Sequence, residues 1–387
     1  MKKYHLYLFF ICFSVACQKK EMTLEDAMQK SITWIWAQQS DDGGWHSKTH
    51  TVLSDGKVLT PYILFQLSQV KDGSFLKYKK QSDKAVEFII KSMKSSMNAD
   101  STALIEYPNY SAAYALRVLH VLNRDTALQH IIANYLLDQQ FDEDRGFTKD
   151  SLAYGGWGYG ESDLKMGEHG HEDMSHTRRV VQALVEAEAN AFAQELWHSK
   201  KEYVMLFLKG TQRSKDDERL YEGCISRLNL PYDGGFVSSV VTLETNKSQP
   251  VFIEGAGYHY PSYATATCDG LIAMHALNMD TTQAYRDAEK WLKENHNYST
   301  IDGLSTNDPE QWTYVMHYYH LSVRAEAMTM IEPDGSWRDS ISGMLIKEQL
   351  PDGDFMNPLG GVNKEDDPLV STIFCIQAGN LVRGVRE

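Results

Sequence analysis

The 387-residue chain is 42% hydrophobic and 11% aromatic, enough apolar material for a large core, which excludes disorder as its resting state. A formal net charge of −14 repels phosphate backbones and anionic lipid surfaces, and so excludes nucleic acid as a partner. Five scattered cysteines, Cys12, Cys17, Cys224, Cys268 and Cys375, form no Cys-x-x-Cys pair and describe neither a disulfide framework nor a zinc finger.

The chain opens with Lys2 and Lys3, an apolar run from Tyr4 to Ala16 broken only by His5 and Ser14, and then Cys17-Gln18-Lys19-Lys20. A run this short describes a secretory leader, because a membrane-crossing helix takes about 20 residues. Ser14-Val15-Ala16-Cys17 resembles a bacterial lipobox. The resemblance implies removal of residues 1–16, acylation of Cys17, a linker over 17–22, and anchoring in the bacterial cell envelope, in the periplasm or at the cell surface. The other reading is an ordinary secretory leader with an incidental cysteine.

A repeat organises the remainder, 23–387. Lys30-Ser31-Ile32-Thr33-Trp34-Ile35 predicts a first amphipathic helix, leading through Gln39 to a turn at Asp42-Gly43-Gly44-Trp45. A more apolar helix is then predicted from Thr60-Pro61-Tyr62. The alternation continues with an amphipathic helix over Lys84-Ala85-Val86-Glu87-Phe88-Ile89 and an apolar one from Tyr107-Pro108-Asn109-Tyr110. Tyr135-Leu136, Gln140 and Gly146-Phe147 make a partial copy of the first phrase, followed by an apolar helix from Asp173-Met174-Ser175-His176-Thr177. Phe207-Leu208, Gln212 and a distant Asp233-Gly234-Gly235-Phe236 make another, with a possible β-hairpin at Phe236 to Glu244 and an apolar helix from Tyr260-Pro261-Ser262-Tyr263. A fifth pair follows at Asp287 to Leu292 and Pro309-Glu310-Gln311-Trp312. The last runs from Met344-Leu345 through Gln349-Leu350-Pro351-Asp352-Gly353-Asp354-Phe355 to Asp367-Pro368-Leu369.

Each amphipathic helix suits a water-facing layer, and each apolar one, opened by Pro or by Asp and Ser, suits a covered layer. Six such pairs predict an all-α fold, an (α/α)6 toroid of six outer and six inner helices. The phrase from Lys30 to Trp45 resembles the QW motif of the squalene cyclase family, within the terpene cyclase and protein prenyltransferase superfamily. That resemblance covers roughly Thr23 to Arg386 and implies structural roles for Gln39, Trp45, Gln349 and Phe355, with each Gln capping helix ends and each aromatic stacking nearby.

Two long connections lead into inner helices and mark the mouth of a central cavity. The first, Phe141 to Met174, carries Trp157, Tyr159, His169, His171, Glu172 and Asp173; the second, Arg213 to Tyr260, ends on His259 and Tyr260. Trp157, Tyr159, His171, His259, Tyr260, Tyr263 and Tyr110 are the candidate ligand-binding residues. Asp173, Asp269, His171 and His259 are the candidate acids and bases. His169, His171 and His176 offer a weak divalent-metal set, although Asp173 has a sufficient role as a helix N-cap, and no cofactor is expected. Asp269, two turns into an apolar helix, needs a polar partner or a raised pKa.

The chemistry the resemblance implies lacks its residues here. No Asp-x-Asp-Asp occurs to protonate an alkene; the nearest strings, Asp142-Glu143-Asp144, Asp216-Asp217-Glu218 and Glu365-Asp366-Asp367, fall in loops. Cys268 lacks the Asp two residues before it that a prenyltransferase zinc site would need. Three readings stand: a binding protein taking an apolar, isoprenoid-like or glycan ligand, or a protein partner, at the mouth; a diverged enzyme, terpene cyclase-like or a polysaccharide lyase or hydrolase; and a structural lipoprotein with a filled ring.

Overall fold

A computed structural model describes residues 22–71, 73–97, 106–188, 194–219 and 231–384. The leader, Cys17 and Cys224 lie outside the described residues.

The outer helices are α1 (Leu24–Ala37), α4 (Lys79–Ser96), α6 (Thr126–Asp138), α8 (Gln194–Gln212), α10 (Gln283–Glu294) and α13 (Trp337–Glu348). The inner ones are α2 (Leu59–Ser68), α5 (Pro108–Val121), α7 (Met174–Glu188), α9 (Ala264–Ala276), α12 (His317–Ile331) and α14 (Pro368–Arg383). Two single turns, α3 (Ser74–Lys77) and α11 (Trp312–Val315), precede α4 and α12. Each inner helix packs on the next, and α14 returns to α2, so the ring closes. The fold is the all-α toroid that the alternation predicts.

Two repeated hydrogen bonds explain why the turns recur. Gln39 Nε2 donates to Gly43 O in its own turn and to Gln81 O in the first turn of α4. Gln140 does the same to Gly155 O and Lys200 O, Gln212 to Gly234 O and Ala284 O, and Gln349 to Gly353 O and Ala27 O. One amide thus satisfies two backbone carbonyls and staples neighbouring outer helices, the last joining α13 to α1. The apolar residue after each turn gives its backbone N–H to a threonine hydroxyl inside the following inner helix or, for Ile301, inside the single turn α11 that leads into α12. The pairs are Trp45 to Thr60, Trp157 to Thr177, Phe236 to Thr267, Ile301 to Thr313 and Phe355 to Thr372, at 2.7–3.0 Å.

Glycine is required where the turn meets the next outer helix. Gly155 holds φ +89°, and a Cβ there would lie 1.9 Å from Tyr203 O.

Two expectations are corrected. The turn belonging to Gln140 is Tyr154-Gly155-Gly156-Trp157, not Gly146-Phe147; the intervening residues are an insertion that folds back over Phe141, Phe147 and Tyr154. The hairpin lies at β1 (Val251–Ile253) and β2 (Gly257–His259), not at 236–244. In the earlier segment Asn246 bonds Ser238 N, Ser239 N and Ser239 O with its side chain, replacing a partner strand, while Val237 and Val240 bury against Leu152.

Candidate functional site

The two long connections meet over the inner helices and enclose a cavity of about 230 Å³. Its wall includes Tyr159, His171 and Asp173 from the first connection, Ser238, Thr245 and Lys247 from the second, Tyr263 at the start of α9, and Tyr110, His176, Arg179, Asp269 and Tyr319 from inner helices. Residues near 171 and 263 therefore share one opening.

Asp173 combines two of the roles the sequence suggests. Its Oδ1 accepts the backbone N–H of His176 at 2.8 Å, as a helix N-cap does, and also faces His176 Nδ1 at 3.0 Å. His171 Nε2 lies 3.5 Å from Oδ2. Burial opposes the charge, but the neighbouring His176 charge and the hydrogen bonds from both imidazoles hold the Asp173 carboxyl well below the usual carboxylate range. His171 stacks on Tyr159 with ring centroids 3.9 Å apart, and His176 leans on the same ring. His176 Nε2 is buried with no hydrogen-bond partner among the described residues.

Asp269 has the polar partners its position demands. Oδ1 accepts from Arg178 Nε at 3.0 Å and Oδ2 from the Tyr319 hydroxyl at 2.6 Å. Arg178 also reaches Glu326 at 3.1 Å and Gln182 at 2.9 Å; Gln377 joins Glu326 to the Tyr62 hydroxyl. Burial would raise Glu326, yet the guanidinium charges of Arg178 and Arg117 hold its carboxyl low. This network ties α2, α7, α9, α12 and α14 together beside the cavity, hereafter the cup, whose lining includes Tyr62, Asp269 and Tyr319.

Other candidates lie elsewhere. Trp157 is fully buried and donates its indole N–H to Leu136 O, as Trp45 does to Ile35 O; it is a wall element, not a contact of the cavity. His259 sits beside Arg213, and Tyr260 gives its carbonyl to the same guanidinium, away from the cavity. Burial, then the Arg213 charge, pushes His259 below the usual imidazole range. His169 bonds Gly170 O and Thr242. Among the described residues no group of three or more His, Cys, Asp or Glu is placed to hold a metal. The acidic loop strings are engaged structurally, by Asp142 with Lys200, Asp217 with Arg219, and Asp366 with His50.

Sequence reasoning missed Arg178, Arg179, Lys247, Lys364 and Tyr319. Adjacent arginines inside an apolar helix were the available signal for the first two.

Against solved structures, the chain is similar to a variant of the type II terpene cyclase MstE from Scytonema in complex with its substrate geranylgeranyl dihydroxybenzoate. That match has a TM-score of 0.54 at 11% identity over 93% of this chain and 96% of that one. The fold is that of the type II terpene cyclases. The apo form of MstE gives a TM-score of 0.54 at 11% identity, over 93% and 98% of the two chains. A protein from Actinoplanes gives 0.53 at 12%, over 93% and 99%. No protein-family model and no curated sequence matches the chain.

Proposed function

We propose that this terpene cyclase-like toroid binds a small ligand with an apolar or aromatic body in its cup and does not protonate an alkene there. One observation carries the reading: both carboxyl groups on the cavity wall are committed, Asp173 to two imidazoles and a helix cap, Asp269 to Arg178 and Tyr319. An acid that protonates a double bond must hold a proton against the open cavity, and neither group is arranged to do so. Tyr110, Tyr159, Tyr263 and Phe374 supply ring faces and edges for the ligand body. The leader and Cys17 support a place on the outer side of a bacterial membrane; radiolabelled palmitate incorporated by wild type and not by Cys17→Ala would test the anchor.

The experiment is incubation of the full-length, detergent-solubilised protein with geranylgeraniol and geranylgeranyl dihydroxybenzoate, followed by mass spectrometry of the organic extract. Unchanged compounds are expected. A cyclised product, abolished by Asp173→Asn or Asp269→Asn, would contradict the reading.

A second reading, a diverged enzyme, is favoured by one feature. Asp173 holds His176, a residue of the cavity lining, through Nδ1 and leaves its Nε2 without a partner among the described residues, the hydrogen-bonding pattern of an oriented general base. Turnover of a cavity-bound compound that His176→Gln eliminates would establish it.

A further inference from the structure

Three cations on the cavity wall, Arg179, Lys247 and Lys364, take no part in the hydrogen-bond networks of Asp173 and Asp269. The Arg179 guanidinium lies 4.9 Å from the Tyr110 ring centre and 5.4 Å from that of Tyr319. Its Nη1 donates to Ser175 O at 2.7 Å, while Nε is buried without a partner. Arg179 as a whole is only 4% exposed, so its charge is held almost entirely out of water. Lys247 Nζ rests 4.0 Å from the Trp312 ring centre, and Lys364 Nζ 5.4 Å from that of Tyr107. Lys364 reaches the cavity from a left-handed backbone with φ +64°, a conformation lysine seldom adopts.

What these cations lack is as informative. The protein is strongly acidic, and several other buried cations sit on carboxylates, Arg178 on Asp269 and Glu326, Arg117 on Glu186 and Lys200 on Asp142, whereas the fully buried Arg324, outside the cavity wall, gives Nη2 to Leu292 O and lies against the Tyr298 ring. Among the described residues, Arg179, Lys247 and Lys364 have no carboxylate oxygen within 4.0 Å. The two acids on the same wall are already occupied. Three cations held on aromatic faces leave the cup locally positive inside a molecule of net charge −14. A desolvated guanidinium with an open N–H is costly unless an anion meets it, and a charge-assisted hydrogen bond is the strongest contact such a site can make. Burial also pushes the Lys247 ammonium below the usual lysine range, the mark of a cation short of solvent.

We propose that the cup selects a ligand carrying an anionic head, a carboxylate or a phosphate, with Arg179 as its direct partner and Lys247 and Lys364 drawing it in. This rests on the reading of the cavity as a binding site, and adds the charge of what it binds. His176 Nε2, on the same wall, offers a further hydrogen bond to the head or to a group beside it.

The test is calorimetric titration of the full-length, detergent-solubilised protein with three probes sharing one flat body: 2-naphthoate, 2-naphthyl phosphate and 2-naphthalenemethanol. The acids are expected to bind at least about tenfold tighter than the alcohol, with the preference shrinking as salt is raised. Lys364→Gln, at a half-buried loop position, is expected to cut the ratio of acid to alcohol affinity about threefold or more. Arg179→Gln should cut it further, with its far-ultraviolet circular dichroism checked against wild type. The relative affinity of the two acids distinguishes a carboxylate head from a phosphate one. Equal binding of acids and alcohol, or a preference that survives both substitutions, would overturn the anionic head and leave the binding cup standing. Binding of none of the three would overturn both.

Discussion

Replacing Asp269 separates a structural carboxylate from a poised catalytic one. Asp269→Ala removes the acceptor of Arg178 Nε and of the Tyr319 hydroxyl in a fully buried setting. Breaking a buried pair from one side costs about 3–5 kcal/mol. Arg178 keeps Glu326 at 3.1 Å and Gln182 at 2.9 Å, so the loss belongs at the lower end, about 3 kcal/mol. Asp269→Asn keeps one acceptor oxygen and the side-chain shape and should lose about 1–2 kcal/mol. Urea unfolding of the full-length, detergent-solubilised protein, followed by circular dichroism, reads both as shifts in midpoint at constant slope. Catalytic groups are often held at the expense of stability, and removing one then stabilises the fold. An Asp269→Asn protein as stable as wild type, or more so, would refute the structural assignment.

Further outcomes follow from the same geometry. Gly155→Ala places a Cβ against Tyr203 O and should cost about 3 kcal/mol, whereas Gly73→Ala, also at positive φ but with nothing within 4 Å, should cost about 1; equal losses would dismiss the close approach. Gln349→Ala opens the staple between α13 and α1 and should lower stability by about 2 kcal/mol, with faster amide exchange in α1. Burial, and then the Arg324 charge, pushes His320 down to about 3, so the folded protein holds it neutral while the unfolded chain takes up a proton near pH 6.5. Stability therefore falls as pH drops from 6.5 toward 3, by up to about 1.4 kcal/mol per unit, and His320→Gln should flatten that part of the profile in urea titrations.

The ring was legible because its rules are local. Pro or Asp before an apolar run starts an inner helix, and Gln followed by Gly and an aromatic ends an outer one; both signals fall within about twenty residues. Even so, the insertion between Gln140 and Gly155 hid the true third turn and lent Trp157 the look of a loop aromatic, when it occupies the position of Trp45. The site was legible only in part. Tyr159, His171, Asp173, Tyr110 and Tyr263 reach the cavity because the connections that carry them lead straight into inner helices. His259 and Tyr260 do not, because the hairpin and Arg213 draw that segment aside. Asp269 announced a need for a partner but not its identity, since Arg178 lies 91 residues away and no periodicity links the two. Lys247 and Lys364 sit in irregular loops where a lysine reads as a solvent group, and only closure of the ring turns them inward.

Native mass spectrometry of the full-length protein, purified with whatever it carries, tests the central claim most directly, with Ala266→Trp filling the cup as the comparison. Wild type should carry a dissociable small acid that the filled variant lacks. Identical, unliganded masses for both would contradict the account.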